Sequence, residues 1–179
     1  MTDTLALDAS LPGAAHLTLT LRDRVARIEL NRPEVLNALH SDTHRAMLAA
    51  FDLLESREDV GAVVIAGAGR AFCTGSDLRE VGTLRGEASN RYAQLDFATK
   101  NRVAASRFAV VAAIHGWCVG GGLELALACD IRIAAQDAMF SMREVPLGSL
   151  PGSGGLQRLP EVVGLGVARD WILRGRDIP

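Results

Sequence analysis

The stretch from Val111 to Asp130 constrains the fold of this chain more than any other. It begins with an apolar run, Val111–Ile114, bounded by turn residues, which is typical of a strand covered on both faces. A turn at His115–Gly116 follows, and three consecutive glycines, Gly120–Gly122, then precede an apolar run that ends at Cys129. The pattern predicts a buried strand, a turn, and a buried helix that begins at the glycines.

The glycines at the start of this helix suggest a binding site for an oxygen atom. The first N–H groups of a helix have no partner within it and carry a partial positive charge. Glycine lets another group approach the backbone closely, so an anion or a developing oxyanion could be held there. Tight helix packing explains the three glycines equally well. A phosphate loop is disfavoured, because the chain has no Gly-x-x-x-x-Gly-Lys-Ser/Thr pattern and no Gly-x-Gly-x-x-Gly after a strand.

Elsewhere the hydrophobic pattern predicts strands that alternate with helices, which is typical of βαβ units and a largely parallel sheet. Residues 1–15 show no firm periodicity and are predicted to form a loose tail, with one domain over residues 16–179. The predicted strands are His16–Leu21, Val25–Leu30, Gly61–Ala66, Val110–Ile114 and Ile131–Ala134. The predicted helices are Asp42–Glu58 with Ser41 as its N-cap, a stretch of roughly Asn90–Phe108, and Asp170–Arg174 with Gly175 as its C-cap.

Composition excludes several classes of function. The hydrophobic fraction of 49% with only 4% aromatic residues predicts an aliphatic core, and the net charge of −2 offers no attraction to nucleic acid or an anionic membrane. Cys73, Cys118 and Cys129 lack a Cys-x-x-Cys spacing, so we expect buried small side chains instead of disulfides or a zinc site. The absence of a basic N-terminal region and of a long apolar run predicts a soluble cytoplasmic protein. Lys100 is the only lysine, which we interpret as coding bias.

Four blocks of the chain carry motifs of one known family. The blocks are Asn31-Arg32-Pro33-Glu34 with Asn37-Ala38-Leu39, Ala71-Phe72-Cys73-Thr74-Gly75-Ser76-Asp77, Val111 to Ile131, and Pro151-Gly152-Ser153-Gly154-Gly155-Leu156-Gln157-Arg158-Leu159. In this order, from about Val25 to the end, they resemble the enoyl-CoA hydratase/isomerase (crotonase) family. The resemblance implies an α/β fold, the crotonase (ClpP-like) spiral of repeated ββα units. It also implies an enzyme of fatty acid metabolism that acts on an acyl-CoA thioester and uses no metal or redox cofactor.

The resemblance also implies the chemistry of a site. In the family, two backbone N–H groups form an oxyanion hole for the enolate, and the matching positions are Ser76 and Gly121. Hydratases of the family use two glutamates to add water, and the matching positions are Glu124 and Glu144. Taken alone, each of these residues has an ordinary explanation: Ser76 as a turn serine, Glu124 as a carboxylate favoured at a helix start, and Glu144 as a loop charge.

Further positions match the segments that lie against coenzyme A and the thioester. Gly152 matches a backbone position that helps to hold the water and the carboxylates. Arg32 could meet a phosphate of coenzyme A, although a solvated surface arginine is the favoured interpretation. His40 and His44 have the spacing of a metal pair but no third ligand in sequence, so no metal is predicted. The matching segments are Val35, Leu36 and Ala38, then Ser76, Asp77, Leu78 and Arg79, and finally Gly121.

Two departures from the family leave alternatives open. The segment Ser141-Met142-Arg143 replaces the polar amide and proline usual before the second glutamate, and Arg143 could pair with a carboxylate and alter its pKa. The family also continues beyond Pro179 with helices that close the pocket and build a homotrimer or a dimer of trimers. We therefore expect a hydratase-type lyase. The alternatives are isomerisation, thioester hydrolysis, hydratase-lyase cleavage, or a non-catalytic module that binds coenzyme A or joins oligomers.

Overall fold

A computed structural model describes residues 2–179 of the chain. Short 3₁₀ turns lie at Ala14–His16, Pro33–Val35 and Val145–Leu147. The strands are β1 (Asp3–Leu5), β2 (Leu17–Arg22), β3 (Val25–Leu30), β4 (Ala62–Gly67), β5 (Ala71–Cys73), β6 (Ala109–Ile114), β7 (Trp117–Val119), β8 (Ile131–Ala134) and β9 (Met139–Ser141). The helices are α1 (Ser41–Glu55), α2 (Leu78–Val81), α3 (Glu87–Ala104), α4 (Gly121–Ala128), α5 (Gly155–Val163) and α6 (Leu165–Arg174).

The larger of two sheets has the strand order β1-β2-β3-β4-β6-β8. The hairpin β2–β3 and the pair β1–β2 are antiparallel, whereas β3, β4, β6 and β8 run parallel to one another. The predicted strands therefore all exist, and the largely parallel sheet is confirmed. In its central strands, either alternate residues or nearly all residues are buried, and Val63 and Ile65 are examples. These strands are buried because helices and the second sheet cover them.

The smaller sheet contains β5, β7 and β9, all parallel. Each follows directly after a strand of the larger sheet, so that β4–β5, β6–β7 and β8–β9 are three strand pairs, each followed by helix. This is the repeated ββα arrangement that the resemblance implies. The pattern of apolar residues did not predict the smaller sheet, because its strands are three residues long and too short to show an alternation.

The structure corrects the prediction of a loose tail over residues 1–15. Met1 lies outside the described residues, but Asp3, Thr4 and Leu5 pair with the outer edge of β2, which would otherwise present unpaired backbone groups. Leu5, with Leu7 and Leu11 after it, also packs against the hydrophobic core. The tail is therefore an edge strand followed by a partly packed loop.

The predicted helices exist, with shifted bounds. The N-cap of α1 is His40, whose Nδ1 accepts a hydrogen bond of 3.2 Å from the backbone N–H of Asp42, so the prediction of Ser41 was wrong. Histidine was not expected as a cap, because short oxygen-bearing side chains usually fill this position. The long helix α3 is confirmed but begins and ends a few residues earlier, and Gly175 ends α6 in the left-handed conformation as predicted.

The core is mostly aliphatic, as the composition predicts, with a few aromatic side chains such as Phe51 and Phe72. The three cysteines are buried and unbonded, which confirms their interpretation as small core side chains. Through the described residues, 2–179, the chain has no helix of the length and apolar character that crossing a bilayer requires.

Candidate active site

Two backbone N–H groups, those of Ser76 and Gly121, lie close together. A methyl group placed on Gly75 would lie 2.8 Å from the N atom of Gly121, and one placed on Gly121 would lie 3.5 Å from the N atom of Ser76. Neither N–H donates to an acceptor within residues 2–179. The two groups predicted as an oxyanion hole are therefore close together and available to a ligand oxygen.

The three glycines of the central motif have three different roles. Gly120 has φ 52° and precedes the helix, and a side chain there would lie 2.9 Å from Oε1 of Glu144. Gly121 supplies the free N–H at the first position of α4. A side chain at Gly122 would overlap the carbonyl oxygen of Cys73 in β5, so this glycine permits close helix packing. Close packing is thus confirmed at Gly122, while the role of Gly121 as an oxyanion donor stays a prediction.

Glu124 lies in the first turn of α4 and is buried. Its Oε1 accepts hydrogen bonds from the backbone N–H groups of Ser153 at 2.8 Å and Gly155 at 2.9 Å. Burial raises the pKa of this carboxyl, while the positive charge of Lys100 and the two N–H groups oppose the rise. The two donors hold the carboxyl in one orientation.

Glu144 lies in the segment between β9 and the turn Val145–Leu147, and its environment differs from that of Glu124. Its Oε2 is buried and has no hydrogen-bond partner in the described part of the chain. Burial raises the pKa of Glu144 to about 7, and the nearby Glu124 carboxylate adds to the rise. The two carboxyls thus have different affinities for a proton, with Glu144 holding one near neutral pH.

The predicted coenzyme A segment runs beside the oxyanion hole. The N–H of Leu39 donates to the Gly75 carbonyl at 2.7 Å, and the N–H of Asp77 donates to the Leu39 carbonyl at 2.9 Å. Just before this bridge lie Val35, Leu36 and Ala38, all partly exposed. The structure therefore brings this segment and the Ser76 segment together.

The conformation of this segment depends on the buried side chain of Asn37. Asn37 and its neighbour Leu36 both have positive φ, at 57° and 54°. The Asn37 Nδ2 donates to the carbonyls of Ala68, Ala71 and Phe72 at 2.8 to 3.3 Å. The asparagine thereby holds the segment against the start of β5.

Arg32 is not the solvated surface arginine that was favoured from sequence. Its guanidinium donates to Asp77 at 2.9 Å and to the carbonyl of Ala38 at 2.7 Å, and the side chain is 16% exposed. Asp77 also caps α2 through the N–H of Arg79 at 3.1 Å. Sequence spacing gave no sign of this pair, because its members are 45 positions apart. Arg32 connects the two predicted binding segments.

The remaining predicted residues lie around these groups. Leu78 and Arg79 are exposed on α2. Gly152 is exposed, and the N–H groups that hold Glu124 belong instead to the later residues Ser153 and Gly155, because the chain turns inward after Gly152.

Arg143 does pair with a carboxylate, but with that of Asp177, at 2.5 and 2.6 Å, and with neither glutamate of the site. It also lies 5.9 Å from the ring of Trp117. Arg143 therefore connects the segment before Glu144 to the segment after α6.

Sequence reasoning missed a buried polar cluster beside the site. Lys100 is completely buried, and its ammonium pairs with Asp96 one turn earlier on α3. Asp96 also accepts a hydrogen bond from the Ser153 hydroxyl. The sequence did contain a signal for this cluster. The only lysine of the chain follows an aspartate by four residues, on the helix face that also carries Tyr92 and Val103. Coding bias does not account for the burial of this lysine.

His40 and His44 do not share a site. His40 caps α1, whereas His44 is buried, with Nδ1 3.1 Å from the Thr99 hydroxyl and Nε2 3.2 Å from Asp96. Within the part of the chain that the structure describes, no group of three or more histidine, cysteine, aspartate or glutamate side chains is arranged to hold a metal ion.

Known proteins resemble this chain over most of its length. The family model described as enoyl-CoA hydratase/isomerase matches residues 20–179. A probable enoyl-CoA hydratase of Mycobacterium bovis is 42% identical over 153 residues, which are 86% of this chain and 59% of the relative. A short-chain-enoyl-CoA hydratase of Clostridium acetobutylicum is 37% identical over 164 residues, 91% of this chain and 63% of the relative.

The solved structure of an enoyl-CoA hydratase from Bacillus anthracis superposes with a TM-score of 0.88 at 34% identity, covering 91% of this chain and 64% of that one. The chain thus spans about three fifths of the length of the curated relatives it matches.

Proposed function

The chain belongs to the enoyl-CoA hydratase/isomerase family, and from that premise we propose that it carries the site of a hydratase-type lyase. The proposed reaction adds water across the 2,3 double bond of an enoyl-CoA thioester. The observation that carries the proposal is the pairing of two differently held carboxyls, Glu124 and Glu144, with two free N–H groups at Ser76 and Gly121. Coenzyme A enters as part of the substrate, and no metal or redox cofactor is required.

In the proposed mechanism the thioester carbonyl oxygen lies between the N–H groups of Ser76 and Gly121. Glu124, oriented by its backbone donors, takes a proton from water as the water oxygen bonds to C3. The electrons of the double bond move toward the carbonyl oxygen, and the resulting enolate is stabilised by the two N–H groups. C2 then takes the proton of Glu144, and the product is a 3-hydroxyacyl thioester. Proton exchange with solvent resets both carboxyls.

The segments against the coenzyme are proposed from the same resemblance. Val35, Leu36 and Ala38 would lie along coenzyme A, and Asp77, Leu78 and Arg79 along its pantetheine arm. Gly152 would help to hold the water. In a chain that also carries the C-terminal helices of the family, we propose a cytoplasmic homotrimer or dimer of trimers acting in fatty acid metabolism.

Double-bond isomerisation is the second candidate, because the family description covers isomerases as well as hydratases. It uses the same oxyanion hole but moves a proton between carbon atoms without adding water. Two neighbouring carboxyls, of which Glu144 has its pKa raised to about 7, suit either reaction.

The test is a hydration assay on crotonyl-CoA run beside calorimetric binding of coenzyme A to the same 179-residue chain. Formation of 3-hydroxybutyryl-CoA supports the hydratase. Conversion of a 3-enoyl-CoA to its 2-enoyl isomer without hydration favours the isomerase. Binding without turnover of either substrate favours a non-catalytic module, and absence of both binding and turnover rejects the proposal for this chain.

A further inference from the structure

Lys100 and Asp96 form an ion pair in the interior, beside the candidate site. Lys100 is 0% exposed and Asp96 7% exposed. Burial of two charges costs desolvation free energy, and apolar residues of similar volume often replace such a pair without loss of stability. Stability alone is therefore a weak reason for the only lysine of the chain to lie here.

A continuous chain of hydrogen bonds leads from this pair to Glu124. Asp96 contacts the Lys100 ammonium through Oδ1 and the Ser153 hydroxyl through Oδ2. The backbone N–H of Ser153 then donates to Oε1 of Glu124 at 2.8 Å. Ser153 is thus held by its side chain on one side and holds the catalytic carboxylate by its backbone on the other.

Lys100 is also the positive charge nearest to the proposed oxyanion hole. Its Nζ lies 3.6 Å from the point that a Cβ on Gly121 would occupy, and the N atom of Ser76 lies 3.5 Å from the same point. The ammonium therefore lies close to the free N–H groups of the proposed hole.

We propose that Lys100 and Asp96 are positioning residues for Glu124: the buried ion pair fixes Ser153, whose N–H aims the carboxylate, while the ammonium favours its ionised form. This inference rests on the proposed role of Glu124 as the base. Neither residue contacts the reacting atoms; both act through Ser153 and through charge.

The charged and titratable groups around Lys100 come from several elements. His44 on α1 stays neutral, because burial and repulsion from Lys100 lower its pKa to about 3. Cys73 on β5 stays a thiol, because burial raises its pKa to about 11. Besides Asp96, the ammonium attracts two further carboxyls, Glu124 on α4 and Glu144 after β9. Burial tends to raise the pKa of Asp96, but attraction to Lys100 is part of what lowers it.

The first experiment does not depend on turnover. The side-chain carboxyl carbon of Glu124 is followed by NMR through a pH titration in ¹³C-glutamate-labelled protein, with its signal assigned by loss in Glu124→Gln. In Lys100→Met the titration midpoint of Glu124 should rise by about one pH unit, because the favourable charge is gone. The double variant Asp96→Asn/Lys100→Met removes both charges of the buried pair. It should also raise the Glu124 midpoint, but by less than Lys100→Met does. Arg91→Met removes an exposed charge from the same helix and should leave the midpoint unchanged.

The second experiment breaks only the link through the hydroxyl. Ser153→Ala keeps the backbone N–H and every charge, and kcat for crotonyl-CoA hydration should fall on the order of tenfold with KM little changed, because the carboxylate is less well aimed. Ser153→Thr keeps the hydroxyl and should restore most of the rate.

The two readouts separate this inference from the proposed function. A wild-type chain without hydration activity contradicts the function, while the NMR midpoints still decide the role of Lys100. A folded Lys100→Met or double variant with the wild-type Glu124 midpoint overturns the inference. A Ser153→Ala variant with wild-type kcat also overturns the inference, and this result can be obtained even if the Lys100 variants do not fold.

Discussion

The backbone N–H of Ser153 donates a hydrogen bond of 2.8 Å to Oε1 of Glu124, across a separation of 29 positions in the chain. This bond and its neighbour from Gly155 connect the loop before α5 to the first turn of α4. They give one glutamate of the site fixed donors, whereas Oε2 of Glu144 has none among the described residues. The difference underlies the roles proposed for the two carboxyls.

Substitution of either glutamate by glutamine should abolish most of the hydration rate. Glu124→Gln and Glu144→Gln keep the shape of the side chain but remove a proton-transfer role, so kcat should fall by about 10²–10⁴ with little change in KM. Steady-state kinetics on crotonyl-CoA measure this. Glu161→Gln, an exposed position on α5, is the matched control and should behave as wild type. Near-full rates in both site variants would rule out the assignment.

The rate should also depend on pH through Glu144. This carboxyl, with a pKa of about 7, must be protonated to deliver a proton to C2. The hydration rate should therefore fall as pH rises through about 7, and Glu144→Gln should remove this alkaline limb from its residual activity. A kcat profile from mildly acidic to mildly alkaline pH measures the effect, and a rate that increases through this range would contradict the role of Glu144 as the acid.

A methyl group on Gly75 should block the oxyanion hole. In Gly75→Ala the new Cβ would lie 2.8 Å from the Gly121 N atom and shield its N–H, so kcat should fall by about 10²–10³. Gly86→Ala is the control for backbone strain, since Gly86 also has positive φ but no described atom lies within 4 Å of its Cβ position. If Gly75→Ala and Gly86→Ala hydrate crotonyl-CoA equally fast, these N–H groups do not hold the substrate oxygen. Ser76→Ala keeps the backbone N–H, so kcat should change little.

Two helical glycines should respond to alanine in opposite directions. Gly122→Ala would drive a methyl group into the carbonyl of Cys73, and overpacking of this kind costs about 1–3 kcal/mol or more of unfolding free energy. Gly166 on α6 has no described atom within 4 Å of its Cβ position, so Gly166→Ala should stabilise by about 0.5–1 kcal/mol. Urea denaturation measures both, and a stabilised Gly122→Ala would contradict the close packing of α4 on β5.

Acid should destabilise the fold through His44. Burial and the charge of Lys100 lower the pKa of His44 from 6.5 to about 3, so between these values the folded protein binds fewer protons than the unfolded chain. The free energy of unfolding should decrease as pH falls through this window, by up to about 1.4 kcal/mol per pH unit. Glu144 acts in the opposite direction, since its pKa is raised when folded. The comparison of His44→Gln with its parent is therefore made in a Glu144→Gln background, where the acid-side decrease should become shallower. An equal slope in both proteins would contradict a neutral buried His44.

The sequence by itself determined five of the six strands of the larger sheet, most of the helices and the positions of the candidate site. Alternation and apolar runs several residues long are local signals, and they predicted β2, β3, β4, β6 and β8 correctly. The motif around Gly120–Gly122 identified a helix start with free N–H groups, because helix geometry alone leaves those groups unpaired. The family resemblance then singled out Ser76, Glu124 and Glu144.

Only the tertiary structure decided which groups meet. The smaller sheet is built from three-residue strands that have no local signal and form by pairing with one another. Arg32 pairs with Asp77 across 45 positions of the chain, and Ser153 donates to Asp96 across 57 positions. Residue type and spacing do not encode such contacts, because they arise when distant segments pack into one core. Lys100 shows this most clearly, because lysine normally lies in solvent. Here it is buried, with its partner Asp96 on the same helix and with Ser153 supplied by a loop much later in the chain.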